Sequence, residues 1–120
     1  MIKANELRIG NYLKAPLGEI MQVKQIGHIK NPEFIFCGYL NGFGINAFEP
    51  IQLTEEWLLK FGANKYGLSY EYDRFLLTYK KEYKYWGVQN KSYYYLSKVE
   101  FVHEWQNFVF VMNGQELELK

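Results

Sequence analysis

Five apolar residues near the end of the chain constrain its fold most. Val99, Val102, Trp105, Val109 and Met112 recur at steps of three, three, four and three. This spacing puts them on one face of an α-helix and scatters them over both faces of a strand. It predicts a helix over 98–113. Ser97 reads as its N-cap, and Glu100, three residues on, completes a capping box. Gly114 reads as the stop signal. The tail, 114–120, reads as a last short strand.

The rest of the chain is mostly short aromatic and β-branched runs broken by turn residues. Residues 7–14 and 19–26 read as strands around a turn at 15–18, which holds Pro16 and Gly18. Residues 33–40 read as a third strand. Asn41-Gly42 is a tight-turn signal that lets 43–48 pair back as a fourth. Together they predict a curved small sheet or half-barrel. Residues 54–62 read as a short helix capped by Thr54, with Glu55 and Glu56 in its first turn and Gly62 closing it. Residues 67–96 read as a β-meander, with turns near Lys81-Glu82 and at Asn90, where positive φ is expected. The predicted class is α+β: an N-terminal curved small sheet or half-barrel, a short helix, a meander and a C-terminal amphipathic helix. At 120 residues, the chain reads as a single domain over 1–120.

Composition narrows the function classes. Net charge is +1, so bulk charge points to neither nucleic acid nor membrane. Charge is nonetheless uneven, at +3 over residues 1–30, −4 over 31–73, +5 over 74–98 and −3 over 99–120. The single cysteine, Cys37, permits no internal disulfide and fits a reducing compartment. No signal peptide and no apolar run long enough for a membrane span are present, so the expected setting is cytoplasmic.

Catalytic and metal-binding patterns are sparse. His28 and His103 lie 75 positions apart, which suits no metal motif. His103 borders the apolar face of the last helix and reads as a partly buried, hydrogen-bonded histidine. Cys37 sits in an apolar run and reads as a small buried hydrophobe. Glu55 and Glu56 read as a helix start, not an acid–base pair. Gly42-Phe43-Gly44 lacks the context of a dinucleotide motif and reads as a hairpin turn. No cofactor is expected, and the chain reads as non-enzymatic.

The aromatic content is high, at 19% with eleven tyrosines. Tyrosines and lysines interleave in one stretch: Tyr79, Lys80, Lys81, Tyr83, Lys84, Tyr85, Trp86, Lys91, Tyr93 and Tyr95. On a strand, Tyr83 and Tyr85 share a face, as do Tyr93 and Tyr95, while Lys84 and Trp86 take the other. Three readings fit: a solvated sheet packed with tyrosine, a protein-binding face with aromatic anchors, or a single-stranded nucleic-acid face where rings stack on bases and lysines meet phosphates. Arg74 at the edge is the only arginine of this stretch.

Three further strings carry a resemblance. KANELRIGNY at 3–12, EPIQLTEEWLLKFG at 49–62 and VHEWQNFVFVMNGQELEL at 102–119 resemble an uncharacterised family of small proteins common in phages and prophages of Bacteroidota. That family's pattern near the end reads His-Gln-Leu-Gln-Asn-Leu, against His103-Glu104-Trp105-Gln106-Asn107-Phe108 here. The resemblance implies an accessory protein acting on a host or phage complex, such as an inhibitor of a host defence system with an RNA-guided CRISPR effector as target. A protein or ribonucleoprotein complex is the expected partner, with single-stranded RNA or DNA as the alternative and a virion role as a third. The sequence leaves the oligomeric state open.

Overall fold

The computed structural model describes residues 2, 6–28, 31–36, 43–44 and 48–120. Cys37 and the Asn41-Gly42 turn lie outside them. The architecture is α+β, and the chain divides into two compact units, residues 1–51 with 101–116, and 52–100 with 117–120.

In the first unit, β1 (Tyr12–Lys14) pairs antiparallel with β2 (Ile20–Gln22). β3 (Gln25–His28), β4 (Asn31–Phe36) and β5 (Phe43–Gly44) form a three-stranded sheet in that order. No closed barrel forms among the described residues. The expected strand over 7–14 is shorter, because residues 8–11 turn. The Asn11 N–H donates to the Arg8 carbonyl at 3.1 Å, and Asn11 Oδ1 accepts from the Arg8 N–H at 2.6 Å. A local side-chain acceptor of this kind competes with a ladder. Gly10, between them, has φ of 101°, which a non-glycine residue adopts only under strain.

The helix α2 (Val102–Asn113) starts four residues later than the sequence predicts. Ser97 and Val99 belong to the strand β10 (Tyr95–Val99), where they face Val88 and Trp86. The capping role passes from Glu100 to Glu104, whose Oε1 accepts the Phe101 N–H at 3.0 Å. Val102, Trp105 and Val109 are buried as the period requires, whereas Met112 is exposed. Gly114 ends the helix at φ of 71°. A separate apolar cluster in this unit joins Ile2, Leu7, Leu13, Ala15, Val23 and Phe48.

A polar network lies beside that core. Gln106 is fully buried. Its Nε2 donates to the Gly10 carbonyl at 3.0 Å, and its Oε1 accepts the Tyr12 N–H at 2.9 Å. Asn107 Oδ1 accepts from Arg8 Nη1 at 2.7 Å and from Asn11 Nδ2 at 2.8 Å, while its own amide donates to the Glu6 carbonyl at 2.7 Å. The Arg8 guanidinium also pairs with Glu116.

The second unit holds α1 (Glu55–Lys60), β6 (Asn64–Tyr66), β7 (Ser69–Tyr72), β8 (Phe75–Lys80), β9 (Tyr85–Asn90) and β10. Thr54 Oγ1 accepts the Trp57 N–H at 3.4 Å, and Gly62 takes positive φ, both as expected. The five strands make one antiparallel meander, β10-β9-β8-β7-β6. Cross-strand partners share a face, so the register sorts the side chains. Tyr70, Phe75, Leu77, Tyr79, Trp86, Val88 and Val99 share one face. Tyr66, Ser69, Glu71, Leu76, Thr78, Lys80, Tyr85, Gly87, Gln89, Tyr95 and Lys98 share the other. The first face carries most of the buried residues, and Leu53, Leu58 and Phe61 are buried in the same unit.

The turn after β9 and the tail depart from expectation. Asn90 ends β9, and the positive φ falls on Tyr93 instead, at 66°. Asn90 acts through its side chain, since Oδ1 accepts the N–H groups of Ser92 and Tyr94 at 2.9 and 3.0 Å. That turn delays the last strand to Tyr95. The tail forms no strand, and the Lys120 N–H donates to the Lys60 carbonyl at 2.6 Å.

Candidate functional site

The ten Tyr, Lys and Trp positions singled out by sequence do not form one surface. In an antiparallel meander, alternate turns lie at opposite ends. The β8–β9 turn at 81–84 shares its end with the β6–β7 turn at 67–68, and the β9–β10 turn at 91–94 lies at the other end. Six-residue strands separate the two ends by about 20 Å.

At the first end, Lys80 and Tyr85 are register partners on the open face. The Tyr83 and Tyr85 rings stack at 5.7 Å and 22°. Lys98 Nζ lies 5.4 Å from the Tyr85 ring centre, within cation–π range. Gly87 makes room for this arrangement, because a Cβ there would stand 3.2 Å from Lys80 Cε. Lys81 and Lys84 extend from the turn, where Lys84 has φ of 59° and, with Lys81, is exposed. Among the described residues, Lys80, Lys81, Lys84 and Lys98 make no ion pair. The interleaved pattern of the sequence does not single out Lys98. The signal that finds it is its register partner Gly87, which leaves the lysine nothing bulky to cross.

At the other end, Lys91 is held by Glu71 at 3.0 Å. Tyr93 and Tyr95 are 71% and 62% exposed. Tyr93 sits in the turn and does not share a strand face with Tyr95.

Trp86 is a structural residue. It is 5% exposed, and its Nε1 donates to the Leu53 carbonyl at 2.9 Å. It packs edge-on to Tyr70 at 5.7 Å and tilted to Tyr79 at 5.2 Å. Tyr79 and Trp86 therefore leave the Lys80–Tyr85 face and line a cleft on the opposite face.

That cleft has a volume of about 410 Å³. Trp86, Tyr70 and Tyr79 form its aromatic wall, with Leu68 at the lip and Gln52, Glu55 and Lys65 at the rim. Burial first, and then the neighbouring Glu55 carboxylate, push the Tyr70 phenol above its ordinary value. Glu55 thus opens α1, as the sequence predicts, and also holds a position in the cleft. Sequence reasoning missed Tyr70 and Lys65, whose adjacency depends on strand pairing.

No protein-family model, curated protein or solved structure matches this chain. The site's chemistry therefore rests on its own geometry.

His103 offers no catalytic arrangement. It is 1% exposed, not partly buried, and its ring stacks on Phe101 at 6.0 Å and 6°. Its Nε2 stands 3.6 Å from Glu6 Oε2, beyond hydrogen-bond range. Neither ring nitrogen makes a hydrogen bond among the described residues, which corrects the expected hydrogen-bonded histidine. Burial lowers its pKa, against opposing effects from Glu104 and Glu6. Among the described residues, no group of three or more His, Cys, Asp or Glu is placed to hold a metal ion. No helix there is long and apolar enough to cross a membrane.

Proposed function

We propose that this chain is a non-enzymatic accessory protein of a phage or prophage, acting in the cytoplasm of its bacterial host. It binds a protein or ribonucleoprotein complex through the basic and aromatic end of the meander. Inhibition of a host defence system, such as an RNA-guided CRISPR effector, is the role this reading favours. The observation that carries it is the grouping of Lys80, Lys81, Lys84 and Lys98, none of them ion-paired among the described residues, around the stacked Tyr83–Tyr85 pair. Unpaired cations beside flat rings give a partner both charge steering and aromatic anchors. Lys91, held by Glu71, contributes less.

A pull-down from the native host, with and without nuclease, tests the reading. A defined complex that survives nuclease and is lost on K80E/K81E/K84E supports it. All three lysines are exposed, so the variant leaves the fold intact. Capture that is unchanged by the variant overturns the assignment of this surface.

The stacked tyrosines also favour a second reading, direct binding of single-stranded RNA. Four lysine–phosphate contacts would weaken affinity about fifty-fold between 50 and 200 mM salt. Salt-insensitive binding rules this reading out.

A further inference from the structure

The cleft on the opposite face of the meander has a chemistry the basic surface lacks. Three aromatic rings make its wall, and its rim carries one carboxylate and one ammonium, those of Glu55 and Lys65. Lys65 and Tyr70 are register partners on one face, so the lysine runs beside the tyrosine. Glu55 and Tyr70 line the cleft together. The Glu55 carboxylate offers several acceptor lone pairs to a group in the cleft.

A rim of mixed sign disfavours a simple cation, which Lys65 repels, and a simple anion, which Glu55 repels. It suits a neutral planar group that carries donors next to an acceptor. Among the bases, guanine alone has two adjacent donors, N1–H and the 2-amino group, followed by a carbonyl on one edge. Adenine and cytosine turn a ring-nitrogen lone pair toward a carboxylate. Uracil flanks its single N–H with two carbonyls.

We propose that this cleft binds a guanine base, stacked against Tyr79, with N1–H and the 2-amino group donating to Glu55 and O6 accepting from Lys65. Flat rings are the usual platform for an unstacked base, whose edge is then read by hydrogen bonds. The base comes from a free guanine nucleotide or from an unpaired guanosine in RNA. The inference stands apart from the basic surface, because Lys80, Lys81 and Lys84 do not line the cleft.

The test is a calorimetric titration of the full chain with GMP, AMP, CMP and UMP. The same titration follows with a single-stranded RNA hexamer holding one guanosine and with its adenosine counterpart. Selective binding of GMP supports a free-nucleotide site, and selective binding of the guanosine hexamer alone supports an RNA site. Glu55→Gln keeps the size of the side chain but faces guanine with an amide. It should reduce guanine selectivity about tenfold or more, with far-UV circular dichroism unchanged. Tyr79→Leu should weaken binding roughly tenfold through lost stacking. No guanine binding at millimolar ligand, equal binding of all four bases, or undiminished selectivity in Glu55→Gln overturns the proposal. The variant K80E/K81E/K84E should keep guanine selectivity, which separates this site from the surface proposed above.

Discussion

Replacing Gln106 with Leu should destabilise the protein by about 2 kcal/mol, although the change swaps a buried polar residue for an apolar one of similar size. Gln106 is fully buried, so water does not replace its partners. Its Oε1 accepts the Tyr12 N–H at 2.9 Å, and losing that buried acceptor costs about 1–3 kcal/mol. Its Nε2 bond to the Gly10 carbonyl, 3.0 Å, matters less. The same carbonyl accepts from Gln22 Nε2 at 3.1 Å, so its loss costs about 0.5–1.5 kcal/mol. The apolar gain of a buried leucine offsets part of the total. Gln22→Ala is the control, because it removes only the redundant bond, and it should cost under about 1 kcal/mol. Urea unfolding of both variants, with unchanged m-values, gives the comparison. A Gln106→Leu no less stable than Gln22→Ala would refute the claim that Gln106 is an important acceptor for the Tyr12 N–H.

Two further perturbations probe buried polar atoms. Trp86→Phe keeps a ring in the meander core but strips the Leu53 carbonyl of its donor, and it should cost about 1–3 kcal/mol in urea unfolding; a change below about 0.5 kcal/mol contradicts the role given to Nε1. His103 gives a pH dependence with a defined sign. Burial lowers its folded pKa, so the unfolded chain binds more protons in the window below the ordinary histidine value of about 6.5. Its contribution is complete above that value and is lost as pH falls through it. Melting curves from pH 7.5 to 5 should therefore decline more steeply for the wild type than for His103→Gln, and a shallower wild-type decline would reverse the assignment.

Local chemistry explains which elements were legible in the sequence. Thr54, Glu55 and Gly62 act within one short helix, and they behave as read. The meander was legible because its alternation and turn residues are local signals. The start of the last helix was not. Ser97 and Glu100 satisfy a capping pattern, but Glu104 lies four residues on and caps Phe101 equally well. Pairing of Ser97, Lys98 and Val99 with β9 decides between them, and that pairing is non-local. The same holds for the turn after β9: the sequence marks Asn90 as the residue that bends, whereas it supplies the acceptor around which Tyr93 bends.

The candidate site divides along the same line. Interleaved tyrosines and lysines mark a half-solvated sheet, and the sequence names them. It does not say which of them meet, because one residue of register moves a side chain to the other face. Trp86 sits one position from Tyr85, yet Tyr85 stacks in the open while Trp86 is buried. Lys80 and Tyr79 likewise take opposite faces. The two faces at this end of the sheet thus acquire different chemistry from adjacent residues: cations and stacked rings on one, a carboxylate, an ammonium and an aromatic wall on the other. A variant at Lys80 and one at Tyr79 differ by a single position in the chain, yet each perturbs only one of these faces. Separable effects on macromolecular capture and on guanine binding would establish that the hairpin serves two surfaces. A common effect of both variants would mean that it serves one.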